Sequence, residues 1–580
     1  MSQPPWKRAR PPVREPPTGP MPRPGSRGPG RRFPLAPDAD TVLLPADRKK
    51  RPPAPRPEQS RQNGHAARPV PREDSGGPAA WPQLPGARRT WVSRGVLLVI
   101  MIVQAVLTLR MNNTAFEDEA LYLYAGHMEL AHLLYGSPLQ GDYASYFSGA
   151  PVLYPVLGAV ADNLGGLAAA RAASLLAMLA VTGLLYSLTR RLFNERVGLC
   201  AALIFSVTEA AIFLGHLATY DAAALCLLAV AAWLVVRTAP LRWPAYLLAA
   251  PVAAAAVAVK YAALLFLPTV VVLAAVAAWP YRGRKAVARP VLLAAATVAL
   301  LVAALRRAGP VYLHSIEFTT TARFSGTTPV TVLLLDCAKW GGLPFGLAVI
   351  GAVAYVLRAQ TEAGEHIAPP GGRWRRALLG IVLAGTALLA PAEQIRLHTE
   401  TALDKHIGFG LFFAAPLAGA GLARIVGDHF RRAQLGIAIW GAALVLGMTA
   451  ANDLFHSWPS SQAMVAAVRR YLQPGAHYLV EVDEVPIYYL QDYLDAEPRQ
   501  FTSTYFINYR TRSGGVLTGT AGYEAAIRAG YFRVICYDRQ VTPALDSTIQ
   551  RVLQADPDYR LAATIPYGNG SGSYYIWVKR

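Results

Sequence analysis

The chain is poor in cysteine and in charge. Four cysteines stand in 580 residues (Cys200, Cys226, Cys337 and Cys536), with no knuckle spacing for a metal and no framework of disulfides. Three fall in apolar runs and one in a predicted strand, so they read as packing residues. No cleavable signal peptide is expected, because apolar character begins only near Val92. Catalytic triads, phosphate-binding loops and metal clusters are equally missing. Only 16% of residues are charged against 53% hydrophobic, and the mean hydropathy is +0.27. Those proportions exclude an ordinary soluble domain and fit a multi-span membrane protein followed by some soluble mass.

The charge that is present is unevenly placed. Residues 1–95 hold 19 Lys and Arg against 7 Asp and Glu, so +12 of the net +20 precedes the first apolar run, together with 22 of the 45 prolines. A segment of this kind has too little apolar surface to fold, and residues 1–90 are expected to form a disordered, basic, Pro-rich tail. Basic runs such as Arg48-Lys49-Lys50-Arg51 suit anionic lipid or nucleic acid. A solvated cytoplasmic tail that fixes topology accounts for them more simply, and no nucleic-acid partner is expected.

A membrane span needs about 20 apolar residues. The first candidate runs over residues 92–109. Others follow at 168–189, 197–214, 221–237, 244–259, 262–279, 290–305, 332–357, 376–392, 407–424 and 433–451. The expected fold class is therefore an α-helical polytopic membrane protein with about 11 transmembrane helices over residues 91–452. Loops assigned to the inner face carry Arg190-Arg191 with Arg196, Arg237 with Arg242, Arg282-Arg284-Lys285, Arg373-Arg375-Arg376, and Arg424 with Arg431-Arg432. This positive-inside bias places the N-terminus in the cytoplasm, and an odd number of spans leaves the C-terminus outside.

Three outer stretches are long and polar. Residues 111–166 are amphipathic and rich in Tyr and Gly, and are expected to include interfacial helices. Residues 306–329 and 393–406 form the other two. After Ala451 the pattern becomes that of a soluble domain, with helices expected at 460–472, 521–529 and 543–554 and strands at 477–482, 532–537, 560–565 and 573–578. The last two strands flank a Gly-Asn-Gly-Ser-Gly turn. Residues 453–580 thus read as a small extracytoplasmic α/β domain, a covering or acceptor-docking module.

The groups suited to chemistry cluster outside. Glu117-Asp118-Glu119 follow the first span directly. Carboxylates at a membrane rim are costly unless used. One of them could take the proton of an attacking hydroxyl, since desolvation and acidic neighbours favour a base of the right strength. The same three acids would also cap a helix N-terminus, with Thr114 and Glu117 spaced as a capping box. Asp142, next to Tyr143 in the same loop, is a second carboxylate that could close over a substrate, or an ordinary turn residue. Asp221 opens a helix as an N-cap or as an orienting group. Lys260 interrupts apolar sequence, and Arg306, Arg307, Arg323, Arg396, Lys405 and His406 stand at outer loop boundaries. Cations there could steady a phosphate or simply snorkel.

The order of these segments resembles the GT-C glycosyltransferases, in the family of protein O-mannosyltransferases and lipid A aminoarabinose transferases. Asp118-Glu119 resembles that family's Asp-Glu motif of the first outer loop. Gly141-Asp142-Tyr143 and Ala150-Pro151…Tyr154-Pro155 resemble its next element, although the usual His-Pro-Pro is replaced by Gly149-Ala150-Pro151. Arg171, Tyr220-Asp221-Ala222, Val259-Lys260-Tyr261 and Lys405-His406 resemble later family positions, so that the likeness covers residues 92–425. The resemblance implies a polyprenyl-phosphate-linked sugar as donor, transferred with inversion to an outer acceptor hydroxyl on protein, polysaccharide or lipid. Asp118 would act as base and Glu119 beside it in the catalytic pair. Asp142, Tyr143, Arg171, Asp221, Lys260, Lys405 and His406 would bind donor or acceptor. No cofactor is implied with certainty, and a divalent metal is left open. The Arg-, Pro-, Gly- and Ala-heavy composition suggests a bacterial source and hence the plasma membrane. The competing classes are a lipid or solute transporter, which would show internal repeats and charges near the midplane, and a scaffold displaying its C-terminal domain.

Overall fold

The computed structural model describes residues 86–139, 141–241, 244–323, 325–357, 372–427, 430–493, 500–567 and 571–580. Residues 1–85 of the expected tail, Arg242 and the tip of the Gly-Asn-Gly-Ser-Gly turn lie outside them, whereas residues 86–90, expected in the tail, are helical.

Fifteen α-helices precede Trp458 among the described residues. Those that matter for the site are α1 (Gly86–Leu109), α2 (Glu117–Tyr135), α3 (Tyr154–Leu192), α4 (Glu195–Phe205), α5 (Glu209–His216) and α6 (Tyr220–Arg237). They are followed by α7 (Ala249–Val259), α8 (Leu267–Arg282), α9 (Ala288–Ala308), α10 (Pro310–Thr319), α11 (Val330–Leu357), α12 (Arg373–Thr386), α13 (Leu389–Leu397), α14 (Leu403–Val426) and α15 (Ala433–Ser457). Among the described residues seven helices are long and apolar enough to cross a membrane, or nine if each of two bent pairs is one span.

Two expected spans are not straight. Residues 197–214 divide into α4 and α5, bent by 64°, and residues 376–392 into α12 and α13, bent by 43°. At the first break the Thr208 hydroxyl accepts from Ala211 N and starts α5 afresh. The span expected at 168–189 is the second part of the 39-residue α3, whose first part bends away at Gly165 and Gly166. Gly166 stands at φ 65°, a left-handed conformation that glycine adopts without strain.

The α14 helix is the axis of the bundle, with most of its residues buried. It packs against α11 through two glycines. A Cβ on Gly351 would lie 1.9 Å from Leu417 O, and one on Gly421 would lie 2.1 Å from Leu347 O. Small residues that let two backbones approach are the usual way to join helices where lipid gives no hydrophobic drive.

The C-terminal domain is a five-stranded mixed sheet with helices against it. Its strands are β1 (His477–Val480), β2 (Phe501–Thr502), β5 (Phe532–Tyr537), β6 (Tyr559–Pro566) and β7 (Ser573–Lys579), in the order β2-β1-β5-β7-β6. The β1 strand runs parallel to β2 and β5, whereas β7 is antiparallel to β5 and β6. A separate hairpin is made by β3 (Asn508–Arg510) and β4 (Val516–Thr518). The helices are α16 (Gln462–Arg469), α17 (Glu484–Leu490), α18 (Gly519–Arg528) and α19 (Pro543–Ala555). Period-2 apolar runs located the long strands. The seven-residue α17 and the strands β2 to β4 are too short to leave such a period.

Candidate active site

The chain between α1 and α2 is clamped from two sides. Glu119 sits at the third position of α2, and its Oε2 accepts from Phe116 N at 2.9 Å. The cap is therefore made by Glu119 and Phe116. Thr114, expected to pair with Glu117, instead accepts from Ser461 N at 2.9 Å.

Arg171 of α3 approaches from one side. Its guanidinium donates to both Glu119 oxygens, at 2.8 and 2.7 Å, and to the carbonyls of Asn113 and Thr114. Ala218 N donates to Glu119 Oε1 at 2.7 Å. The Glu119 carboxylate is fully buried. Burial pushes its carboxyl up, but Arg171 and the two backbone donors outweigh this and hold it below its ordinary range. What Glu119 does is hold the loop.

The C-terminal domain grips the same loop from above. Tyr489 Oη accepts from Ala115 N at 2.7 Å, and Trp458 Nε1 donates to Ala115 O at 3.0 Å. Tyr505 Oη donates to Glu117 Oε1 at 2.6 Å. Tyr488 Oη donates to Asp162, which also meets His127 at 2.7 Å.

Held this way, the loop turns Asp118 towards a cavity of about 440 Å³. Asp118 Oδ2 pairs with Lys405 Nζ at 2.5 Å, and the carboxylate remains 30% exposed. Tyr122 Oη donates to its other oxygen at 3.3 Å. Lys405 lies at the start of α14, 287 residues along the chain, with its ammonium 5.2 Å from the Phe116 ring centroid. The cavity volume lies in the range of small-molecule sites. Its walls come from the loops at 326–329 and 399–405, from Trp340 and Phe455 of the bundle, and from Gln540 and Val541 of the C-terminal domain.

A second ion pair lies behind the first. Lys260 Nζ meets Asp221 Oδ1 at 2.5 Å, both buried, and the Thr219 hydroxyl donates to Asp221 Oδ2 at 3.1 Å. The Tyr122 and Tyr220 rings, 4.1 Å apart, bridge the two pairs. His406 is buried beside Phe409 and outside the cavity wall.

Asp142 and Tyr143 are not brought to this cavity. Asp142 caps a short 3-10 turn, where its carbonyl accepts from the Ser145 hydroxyl, and Tyr143 packs on Phe147 and Tyr146. Sequence reasoning missed Trp340, Asp404, Trp458, Gln540 and Val541 as cavity residues. Asp404 adjoins Lys405 and could have been found by that neighbourhood. The others are single residues far along the chain, and nothing in their local pattern marks them. Among the described residues no group of three or more His, Cys, Asp or Glu side chains is placed to hold a metal ion.

Comparison with known proteins bears on the fold. Residues 157–305 match the family model of the dolichyl-phosphate-mannose-protein mannosyltransferases. The fold is similar to that of ArnT from Cupriavidus metallidurans bound to undecaprenyl phosphate, with TM-score 0.51 and 15% identity over 85% of this chain and 98% of that one. It is also similar to the Archaeoglobus fulgidus oligosaccharyltransferase tethered with an acceptor peptide, with TM-score 0.50 and 12% identity over 84% of this chain and 74% of the other. The same archaeal enzyme in complex with an inhibitory peptide and a dolichol-phosphate gives TM-score 0.50 and 12% identity, with the same coverage. No curated protein sequence matches the chain.

Proposed function

We propose, from the premise that this chain is a membrane glycosyltransferase of the GT-C mannosyltransferase and ArnT type, that it moves a sugar from a polyprenyl-phosphate carrier to an acceptor hydroxyl on the outer face of a bacterial plasma membrane. The observation that carries the reading is Asp118: a carboxylate paired to a lysine, partly exposed, and aimed into a cavity bordered by membrane helices and by the C-terminal domain.

In this reading Asp118 accepts the proton of the acceptor hydroxyl as its oxygen attacks the anomeric carbon. The bond from that carbon to the phosphate oxygen breaks, and its electron pair stays with the phosphate. Attack from the face opposite the leaving group inverts the anomeric centre. Lys405 pairs with Asp118 and offers a cation to the departing phosphate. The loop at 399–405, to which Arg323 donates at Thr401 O (2.9 Å), frames that side. Lys260 and Asp221 set the aromatic pair behind the base, and Glu119 with Arg171 fixes the loop that carries it. The N-terminal tail lies in the cytoplasm and residues 453–580 outside, as the inner-loop arginines favour. The acceptor is protein, polysaccharide or lipid.

The test is reconstitution in liposomes with a radiolabelled polyprenyl-phosphate sugar on the outer leaflet. The reading predicts label leaving the carrier for an acceptor or for water only when the protein is present. Label that stays on its lipid and crosses the bilayer would assign the chain to the transporters.

A further inference from the structure

The wall of the cavity opposite the membrane belongs to one turn of the C-terminal domain, and a buried carboxylate holds that turn in place. Residues 538–542 join β5 to α19. Glu481, at the end of β1 and 2% exposed, accepts four backbone hydrogen bonds from them. Its Oε2 takes Asp538 N at 2.6 Å and Arg539 N at 2.8 Å, while Oε1 takes Val541 N at 2.6 Å and Thr542 N at 3.0 Å. Arg539 adopts φ 65° within the turn. A left-handed non-glycine residue is strained and persists only where its surroundings impose it. Thr542 Oγ1 also donates to Thr504 Oγ1 at 2.7 Å, tying the turn to the segment after β2. A buried acid that takes four backbone donors from one five-residue turn is more than a hairpin or a helix cap requires.

The turn places Gln540 and Val541 in the cavity wall beside Trp458. A lipid-borne donor enters from the bilayer, so the wall supplied by the extramembrane domain faces whatever arrives from water. The charge of the lining restricts that arrival. Among the described lining residues, Glu117, Asp118, Glu119, Glu400 and Asp404 are acidic, whereas Arg171 and Lys405 are the basic ones, each already paired with a carboxylate. An anionic acceptor would meet repulsion there. Trp458, Phe455 and Phe116 offer apolar faces, and Trp458 is fixed edge-on to Phe116 with centroids 4.9 Å apart. Aromatic faces next to neutral polar groups suit a sugar ring.

We infer that the 538–542 turn is the acceptor-docking wall of this cavity, that Glu481 is its positioning residue, and that the acceptor it admits is an uncharged carbohydrate. This rests on the glycosyltransferase reading above and goes one step past it, to the class of acceptor and the element that selects it.

The experiment uses the full chain in liposomes with a radiolabelled polyprenyl-phosphate sugar. Two products are followed in the same vesicles: free sugar from transfer to water, and label on methyl glycosides of neutral hexoses and pentoses, on their phosphorylated counterparts, or on N-acetylated Ser/Thr peptides. The wild-type chain is expected to label the neutral glycosides at least tenfold faster than either alternative. Glu481→Gln, which turns an amide N–H towards donors, and Val541→Trp, which thickens the wall and leaves the four hydrogen bonds alone, should each lower glycoside transfer at least tenfold relative to water transfer. Each should act by raising the apparent KM for the glycoside, and Glu481→Asp should restore part of the loss. Preference for the peptides or the phosphorylated glycosides would overturn the acceptor class. An unchanged ratio in Val541→Trp, which does not depend on the refolding of the turn, would overturn the wall. A wild-type chain that releases no label to water or acceptor would remove the glycosyltransferase reading itself, and this inference with it.

Discussion

Asp118 and Glu119 stand one residue apart at the start of the same helix, yet one carboxylate opens to the cavity and the other is sealed. An α-helix turns by about 100° per residue, since it has 3.6 residues per turn. Neighbouring side chains therefore face different structures. Glu119 faces α3 and meets a bidentate arginine and two backbone donors, with no exposed surface left. Asp118 faces α14 and meets one lysine and the Tyr122 hydroxyl, with 30% of its side chain exposed. A carboxylate whose hydrogen-bonding capacity is consumed serves the fold. One with a single counter-ion and open space is the one available to act as the proposed base.

The same contrast recurs in the C-terminal domain. Burial pushes the Glu481 carboxyl up, but hydrogen bonds from Asp538 and from the turn outweigh it and hold it below its ordinary range. Asp546 close by receives only the Thr542 hydroxyl, at 3.3 Å from both oxygens, which does not offset its burial. Burial, then the neighbouring Glu481 and Asp538, push its carboxyl up to about 10. Three neighbouring acids are thus divided: Glu481 is held down, while Asp538 and Asp546 are pushed up.

The sharpest way to break the first contrast is to remove the partner of the sealed acid. Arg171→Met leaves Glu119 buried without a cation, and such changes cost about 3–5 kcal/mol. The yield of folded protein and its thermal midpoint should fall accordingly. A variant as stable as the parent would show that the pair does not hold the loop. The open acid predicts a smaller and different effect. Lys405→Met should raise the donor KM by about 10–100-fold, equivalent to about 1.4–2.7 kcal/mol of phosphate binding, with Lys405→Arg recovering part of it. Unaltered donor saturation would remove Lys405 from the phosphate.

Asp546 gives a pH-dependent test of the second contrast. The folded chain retains a proton that the unfolded chain releases near pH 4, so this group makes stability fall as pH rises from about 4 towards 10. Asp546→Asn keeps a hydrogen-bond donor and has nothing to ionise. Chemical unfolding of the full chain followed between pH 6 and 9 should show a shallower loss of stability in that variant. Parallel pH profiles would contradict the assignment. The smallest effect is expected at Tyr505→Phe, which deletes one hydrogen bond to Glu117 and should cost about 0.5–1.5 kcal/mol in unfolding free energy.

Much of this was legible in the amino-acid sequence, in a graded way. The apolar runs located the membrane helices because a span requires a length that composition alone reveals. The bends within 195–216 and 373–397 stayed hidden, since Thr208 and its neighbours are too few to interrupt the hydropathy. In the site, Asp118 stood out because three acids beside a membrane span are energetically conspicuous. Its partner did not, because Lys405 lies 287 residues away and only the fold joins them. Arg171 looked like a ligand-binding cation and is spent on Glu119. Asp142 had two readings, and the 3-10 turn it caps favours the local one.

The measurement that bears most directly on the central claim is the initial rate of sugar release from a radiolabelled polyprenyl-phosphate donor by Asp118→Asn, normalised to folded protein in the same liposomes. Loss of a general base of this kind predicts a fall of about 10²–10⁴-fold with an unchanged thermal midpoint. A rate within twofold of the parent chain would show that the carboxylate facing the cavity is not the base.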